Sequence, residues 1–115
     1  MIEVTETTAD VVYQWEPASY VPFKAVCMRD GDRVLGVGVL YDCGTALLAS
    51  MRASPEALKN RRGMVLAYRK LLGWARERGL VTLAMASPNV PKAVAFLEHM
   101  GFSRLKDNIF ELTHA

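Results

Sequence analysis

The sequence predicts an α/β protein of the α+β type, with a mixed, mostly antiparallel sheet and a short N-terminal region. Strand-like stretches joined by tight turns come first, at residues 23–29, 33–41 and 46–51. Two amphipathic helices then alternate with short strands over residues 60–112, so the C-terminal half has a β-α-β-α-β order. With 115 residues the chain is long enough for one core, and we expect a single domain over residues 1–115.

Composition excludes several classes of protein. Hydrophobic residues make up 51% of the chain and charged residues 23%, which is typical of globular proteins. No apolar run approaches the roughly 18 residues of a membrane-spanning helix. The N-terminus lacks the basic start and apolar stretch of a secretory signal, so we expect a cytoplasmic protein without a membrane partner. Cys27 and Cys43 are too few for a disulfide framework or a metal site, and we expect two buried thiols and no bound metal.

Basic residues concentrate in one stretch, because residues 56–79 contain seven of them against two acids. Those in the middle of the stretch fit a solvated helix face, whereas those at its opening turn fit an electropositive approach to an anionic ligand. The opening-turn residues are Lys59, Arg61 and Arg62. No stripe of basic residues interleaved with aromatics is present, so we rank nucleic acid as a partner third, behind the two functions considered below.

The N-terminal half has the pattern of a strand meander. Residues 2–5 are compatible with a short strand and residues 8–13 with a helical turn. Asp30-Gly31-Asp32 predicts a hairpin between the next two strands, because Asp-Gly tolerates the positive φ of tight turns. Gly36 and Gly38 share one face of the second of these strands, where they mark either a close approach by another element or a weak strand. Residues 46–51 are almost continuously apolar, which predicts burial on both faces.

The C-terminal half predicts a helical crossover between two parallel strands. Ser54-Pro55 is a cap followed by proline, so residues 52–60 contain a helical turn. Apolar residues at helical spacing then predict the main helix, in which Leu66 alone falls on the polar side and which Gly79 ends in a left-handed conformation. Residues 80–87 follow as a strand, parallel to residues 46–51 because a helix separates the two.

A second helix is predicted over residues 91–100, with Val94 and Leu97 facing inward and Gly101 ending it. A last hairpin joins residues 102–105 to residues 109–112.

The turn Arg61-Arg62-Gly63 is the candidate ligand site. A turn that opens a helix presents unpaired backbone N–H groups and the positive end of the helix dipole, which together bind anions. Gly63 is expected to let a ligand come close. We therefore expect Gly63→Val to abolish ligand binding without unfolding the domain.

Two segments carry a family resemblance that covers residues 33–112. Residues 93–102, AVAFLEHMGF, are similar to the segment A-x-x-F-Y-E-x-x-G-F at five of its six fixed positions, and residues 71–80, LLGWARERGL, resemble the end of a cofactor-binding helix. Both segments are typical of the GCN5-related N-acetyltransferase (GNAT) superfamily. The resemblance implies the GNAT fold and acetyl-CoA, or another acyl-CoA, as co-substrate.

The resemblance also implies a cofactor site. In the family, the acetyl-CoA pyrophosphate binds to backbone N–H groups of a turn written Gln/Arg-x-x-Gly-x-Gly/Ala, and backbone N–H groups of the preceding strand can polarise the thioester carbonyl. Only Gly63 of that pattern is kept, and Val65 replaces a small residue. The matching residues of this chain are Met51, Asn60, Arg61, Arg62, Gly63, Met64 and Val65.

The catalytic residues are not predicted. The family often uses a tyrosine as the acid that protonates the leaving thiolate, and this chain has Leu97 there. The strand at residues 46–51 contains no carboxylate to act as base. The candidate substitutes are Tyr68, which the helical pattern assigns to the core, His99, which it assigns to the surface, Tyr20 and Glu56.

The resemblance implies an acyl-CoA-dependent N-acyltransferase, most simply an acetyltransferase, acting on an unknown amine. The alternative is a catalytically inactive GNAT-like module that binds CoA or serves a structural or interaction role, as in a phage or a bacterial operon. Of these two alternatives, we favour the enzyme over the inactive module. The short N-terminal region leaves the acceptor-side wall reduced and a sheet edge exposed, which favours a homodimer.

Overall fold

A computed structural model describes residues 1–114 of the chain. All seven strands form one sheet, in the order β1-β2-β3-β4-β5-β7-β6. The strands are β1 (Glu3–Glu6), β2 (Phe23–Asp30), β3 (Arg33–Asp42), β4 (Leu47–Ala53), β5 (Thr82–Met85), β6 (Ser103–Lys106) and β7 (Ile109–Leu112). The helices are α1 (Ala9–Val12), α2 (Pro55–Leu58), α3 (Arg61–Arg78) and α4 (Ala93–His99).

The first four strands confirm the predicted meander. Neighbours among β1 to β4 pair antiparallel, and Gly31 takes a φ of 62° in the hairpin between β2 and β3. A Cβ on Gly38 would lie 3.0 Å from Met51 Cε, and one on Gly36 would lie 2.7 Å from the Arg52 carbonyl oxygen. Both glycines therefore allow a close approach by residues of β4. This confirms the first of the two predicted alternatives, a close approach by another element, over a weak strand.

The sheet has two faces that are covered unequally. The helical face packs against α2, α3 and α4 and contains the main core, including Leu71, Leu97 and Phe110. The open face is covered by α1, which packs with its Val12 on β2 and β3. The predicted acceptor-side wall is accordingly a single helical turn.

β4 corrects the prediction of burial on both faces. Leu47 and Ala49 are buried on the helical face, whereas Leu48 and Ser50 are half-buried on the open face. The side chains of a strand alternate between faces, and α1 packs on the neighbouring strands instead of on β4. The open face of β4 therefore stays accessible.

The crossover between β4 and β5 is confirmed, since the two strands pair in parallel. Ser54 caps α2, and its Oγ accepts a hydrogen bond from Ala57 N at 3.3 Å. Gly79 ends α3 with a φ of 74°, as predicted, and Leu66 is the exposed apolar residue of the helix.

The later elements are shorter than predicted. β5 covers Thr82–Met85 within the expected residues 80–87, and α4 covers Ala93–His99 within residues 91–100. Gly101 follows α4 with a φ of 99°. Leu97 is buried, and Val94 packs at the edge of the core.

The two cysteines differ in exposure. Cys27 is buried in the small core under α1, as predicted, but Cys43 is exposed, which corrects the prediction of two buried thiols. Cys43 lies at a turn outside the core, where the side chain of Asp42 accepts a hydrogen bond from Gly44 N at 2.9 Å.

Candidate functional site

The candidate site begins where β4 and β5 separate. Their pairing runs from Leu47–Thr82 to Ala49–Ala84 and then stops. β4 continues to Ala53 beside β3, whereas β5 ends and Ala86 N donates to the carbonyl of Asn108 at 2.8 Å. A gap therefore lies along residues 50–53 on the β5 side of β4.

The backbone of Met51 faces this gap. Leu47 N donates to the carbonyl of Val81 at 2.8 Å on the β5 side, and Ser54 N donates to the carbonyl of Leu35 at 2.8 Å on the β3 side. In a regular strand these directions alternate from residue to residue. Odd-numbered residues of β4 therefore point their N–H and C=O groups towards β5, and those of Met51 lie beyond the last pair of the ladder.

The start of α3 forms the second part of the site. Asn60 caps the helix, because its Oδ1 accepts from Gly63 N at 2.7 Å and its carbonyl accepts from Met64 N at 3.1 Å. Arg61 N and Arg62 N have no acceptor within residues 1–114. Two of the first N–H groups of α3 are thus left for a ligand, at the positive end of the helix dipole.

The side chains at this turn divide into two groups. Arg61 and Arg62 are exposed, and neither takes part in an ion pair with the described residues. Met64 packs into the main core and Val65 is half-buried. Side-chain contacts to an anion at this turn would therefore come from the two arginines.

Gly63 contacts the chain itself. A Cβ at this position would lie 3.1 Å from Asn60 Oδ1 and 3.2 Å from Ile2 Cγ2. The missing side chain therefore makes room for the cap and for the residue before β1. We therefore expect Gly63→Val to destabilise the domain as well as to block the turn, because a branched side chain would push against both neighbours.

Two positions discussed for acid catalysis lie in the core. Tyr68 is 5% exposed, with its ring centroid 5.1 Å from that of Phe96 and 6.3 Å from that of Phe102, and burial raises its pKa to about 12. The assignment of Tyr68 to the core is confirmed. Leu97, which replaces the family's tyrosine, is also buried.

The remaining candidate substitutes lie on the surface. Glu56 accepts two hydrogen bonds from Arg33 Nη2, at 2.8 and 3.1 Å. Tyr20 is fully exposed. His99 is also exposed and lines a surface cavity of about 450 Å³ together with Arg69 and Arg76 of α3. Among residues 1–114, the hydrogen bonds of Glu56 are to Arg33 and none joins Glu56, Tyr20 or His99 to residues 50–53.

A polar cluster on the open face was missed by the sequence analysis. Glu16, which follows α1, is 6% exposed, and its Oε1 accepts from Ser50 Oγ at 2.5 Å while its Oε2 accepts from Arg52 Nε at 2.7 Å. Burial, followed by the negative charge of Glu16, raises the pKa of the Tyr41 phenol. Ser50 and Arg52 are two residues apart on β4, so the alternation of side chains along a strand predicts that they share one face of the sheet. Nothing in the sequence pairs them with Glu16.

Two further properties concern metals and membranes. Within residues 1–114, no three His, Cys, Asp or Glu side chains are grouped closely enough to hold a metal ion. Among the helices described, none is both long and apolar enough to cross a membrane.

No protein-family model and no curated protein matches the sequence at a significant level. Solved structures do match. The ribosomal-protein-S18-alanine N-acetyltransferase from Escherichia coli superposes with a TM-score of 0.74 at 11% identity, covering 100% of this chain and 95% of that one. The IAA acetyltransferase from Bacillus cereus ATCC 14579 superposes with a TM-score of 0.68 at 12% sequence identity, and the match covers 92% of this chain and 79% of that one. A GNAT family acetyltransferase from Elizabethkingia anophelis was solved with acetyl-CoA bound. It superposes with a TM-score of 0.63 at 13% sequence identity, and the match covers 92% of this chain and 78% of that one.

The chain therefore has the fold of the GNAT acetyltransferases, which confirms the predicted fold class and the resemblance read from residues 93–102. At these identities the similarity establishes the fold.

Proposed function

We propose that this protein is an acyl-CoA-dependent N-acyltransferase that uses acetyl-CoA or a related acyl-CoA and acts on an amine. The observation that carries the proposal is the gap beside β4, which Met51 faces with unpaired backbone groups and which is followed by the free N–H groups at the start of α3. The proposed cofactor-binding residues are Met51, Asn60, Arg61, Arg62, Gly63, Met64 and Val65. The GNAT neighbour solved with acetyl-CoA supports the choice of co-substrate.

Each part of the site has a chemical role in this proposal. Arg61 N and Arg62 N donate to the pyrophosphate, and the two guanidinium groups add charge-assisted contacts. Met51 N–H donates to the thioester oxygen and stabilises the negative charge that develops there when the amine attacks. The C–N bond forms, the C–S bond breaks, the amine gives up its proton to solvent, and the CoA thiolate leaves and takes up a proton from solvent. Asn60 and Gly63 hold the turn in the shape that receives the pyrophosphate, because the Asn60 side chain accepts the Gly63 N–H.

A catalytically inactive CoA-binding module is the second candidate, and one observation favours it. Leu97 is buried at the position where the family places its acid, and a leucine cannot donate a proton. Positioning and the backbone would then have to supply all of the catalysis.

Unfolding in urea with and without acetyl-CoA tests the binding step. A ligand present at 100 times its dissociation constant adds about 2.7 kcal/mol to the free energy of unfolding. The control ligand is S-acetyl-N-acetylcysteamine, which has the thioester but no pyrophosphate and should not stabilise the protein at the same concentration. No stabilisation by millimolar acetyl-CoA would exclude both candidates as CoA-binding proteins.

Release of free CoA thiol across a panel of amines then separates the two candidates. An enzyme releases thiol in proportion to an acceptor amine, whereas an inactive module binds acetyl-CoA and releases thiol no faster than buffer. We further propose a homodimer in the cytoplasm, formed through the exposed edge strand β6, without nucleic acid or membrane as partner. Light scattering of the purified chain measures that assembly.

A further inference from the structure

We infer that Arg52 binds a carboxylate group of the acceptor, so that the substrate class is amines that also carry a carboxylate, such as free amino acids. This inference rests on the proposed function and concerns the acceptor side of the same gap. Its starting point is the position of Arg52, which follows Met51 directly and points to the open face.

The Arg52 side chain is held in place by Glu16. Its Nε donates to Glu16 Oε2 at 2.7 Å, and the other oxygen of Glu16 is occupied by Ser50 at 2.5 Å. The Glu16 side chain is 5% exposed, so its carboxylate is closed to a ligand. Glu16 is therefore a positioning residue that fixes the orientation of the guanidinium.

The outer end of the Arg52 guanidinium remains free to bind a ligand. The Arg52 side chain is 56% exposed, and within residues 1–114 its two Nη nitrogens have no acceptor. A guanidinium that is held by Nε presents these nitrogens as a planar pair, and this geometry matches the two oxygens of a carboxylate. Because Glu16 already balances the charge of Arg52, the pair suits a singly charged group better than a phosphate dianion.

The space in front of the Arg52 guanidinium is open. α1 packs on β2 and β3, and across the gap Met85 is 68% exposed on the same face as Arg52. An acceptor can therefore approach from the open face, with an apolar wall on one side and the Arg52 fork on the other. Its carboxylate on Arg52 would leave the amine next to the gap that Met51 faces.

Acyl transfer to a matched pair of acceptors, leucine and leucinamide, tests the inference. The amide keeps the amine and the apolar side chain but has no carboxylate. Because the amide makes the amine less basic, the two acceptors are compared by kcat/KM per deprotonated amine. We expect this value to favour leucine by about tenfold or more, as for a charge-assisted hydrogen-bonded pair. Equal use of the two acceptors would overturn the inference and leave the proposed function intact.

Variants assign the preference to the Glu16–Arg52 pair. Arg52→Lys keeps the charge next to Glu16 but loses the planar fork, and we expect it to raise KM for leucine and leave KM for leucinamide unchanged. Glu16→Gln combined with Arg52→Gln removes both charges, so no unpaired carboxylate stays buried, and it should abolish the preference. Arg33→Gln is the matched control, because it also removes an arginine from an ion pair, and it should keep the preference. A preference that survives in the double variant would contradict the assignment.

Binding of leucine at Arg52 can also be measured directly by NMR, which requires no acyl transfer to an amine. Leucine should shift the NMR signal of the Arg52 Nε–H group in the presence of acetyl-CoA, and leucinamide should not. If acetyl-CoA stabilises the protein and leucine shifts nothing, the inference fails while CoA binding stands. If acetyl-CoA itself does not stabilise the protein, the proposed function fails, and the inference is overturned with it.

Discussion

Glu16 and Arg52, 36 residues apart, are joined by a 2.7 Å hydrogen bond from Nε to Oε2 that ties the segment after α1 to the open face of β4. The carboxylate end of this pair is buried and the guanidinium end is half exposed. The pair therefore differs from the other side-chain ion pairs of the described chain, in which both partners are at least one-third exposed.

Arg52→Ala should lower the free energy of unfolding by about 2 kcal/mol, because it leaves a buried carboxylate with Ser50 as its remaining partner. Arg33→Ala, which breaks the exposed pair with Glu56, should cost about 0.5 kcal/mol or less. Urea unfolding of the two variants measures the difference. Equal losses would mean that the Glu16 pair contributes no more than a surface contact.

The two glycines of α3 give a second test. Nothing lies within 4 Å of a Cβ on Gly73, so Gly73→Ala should stabilise the helix by about 1 kcal/mol. Gly63→Ala should increase the free energy of unfolding much less, because Ile2 Cγ2 and Asn60 Oδ1 would have to move. Gly63→Val should lower it by about 1–3 kcal/mol. Thermal unfolding of the three variants checks this order. A Gly63→Val protein as stable as the parent would show that Ile2 does not pack there.

Elements with local signals could be predicted from the sequence. The hairpin at Gly31, the cap at Ser54 and the end of α3 at Gly79 each depend on a few neighbouring residues whose backbone preferences dominate. The parallel pairing of β4 and β5 followed from the helix between them.

Contacts between distant residues could not be predicted in the same way. Glu16 meets Ser50 and Arg52 across 34 and 36 residues, and Ile2 fills the space beside Gly63, because the tertiary fold brings separate segments together. The apolar run of β4 suggested burial on both faces, but burial depends on whether a helix covers the strand, and α1 packs on its neighbours. The turn at the start of α3 and the backbone of Met51 were named as candidate site residues from the sequence and the family resemblance, whereas the Glu16–Arg52 pair on the acceptor side was not.

Arg61→Gln combined with Arg62→Gln should weaken acetyl-CoA binding by about tenfold if both side chains contact the pyrophosphate. Stability should change by less than about 0.5 kcal/mol, because both side chains are exposed. Arg69→Gln combined with Arg76→Gln removes the same charge further along α3 and serves as the control. Calorimetric titration with acetyl-CoA measures both, and equal weakening in the two double variants would point to a general charge effect instead of a site.

Stability at alkaline pH should report on Tyr68. Its pKa rises from 10.0 to about 12 in the folded protein, so the folded state keeps the phenol proton after the unfolded state has lost it. The resulting stabilisation is fully present below pH 10 and is lost as the pH rises to 12, by about 3 kcal/mol in total. Tyr68→Phe should flatten this part of the pH profile in urea unfolding. An unchanged slope would assign the alkaline loss to other groups, such as Tyr41.

Asn60 allows its structural role to be separated from the proposed binding role of the turn. Asn60→Ala removes the acceptor for Gly63 N and should cost about 1 kcal/mol of stability. Asn60→Asp keeps that acceptor and places a negative charge at the positive end of α3, so the protein should be as stable as the parent or slightly more stable. The same charge would repel a pyrophosphate bound to Arg61 N and Arg62 N. Asn60→Asp should therefore bind acetyl-CoA at least about tenfold more weakly at low salt, with a smaller effect at high salt as the charge is screened. Unfolding and calorimetric titration of the same preparations measure the two effects, and an Asn60→Asp protein that binds acetyl-CoA as tightly as the parent would move the pyrophosphate away from this turn.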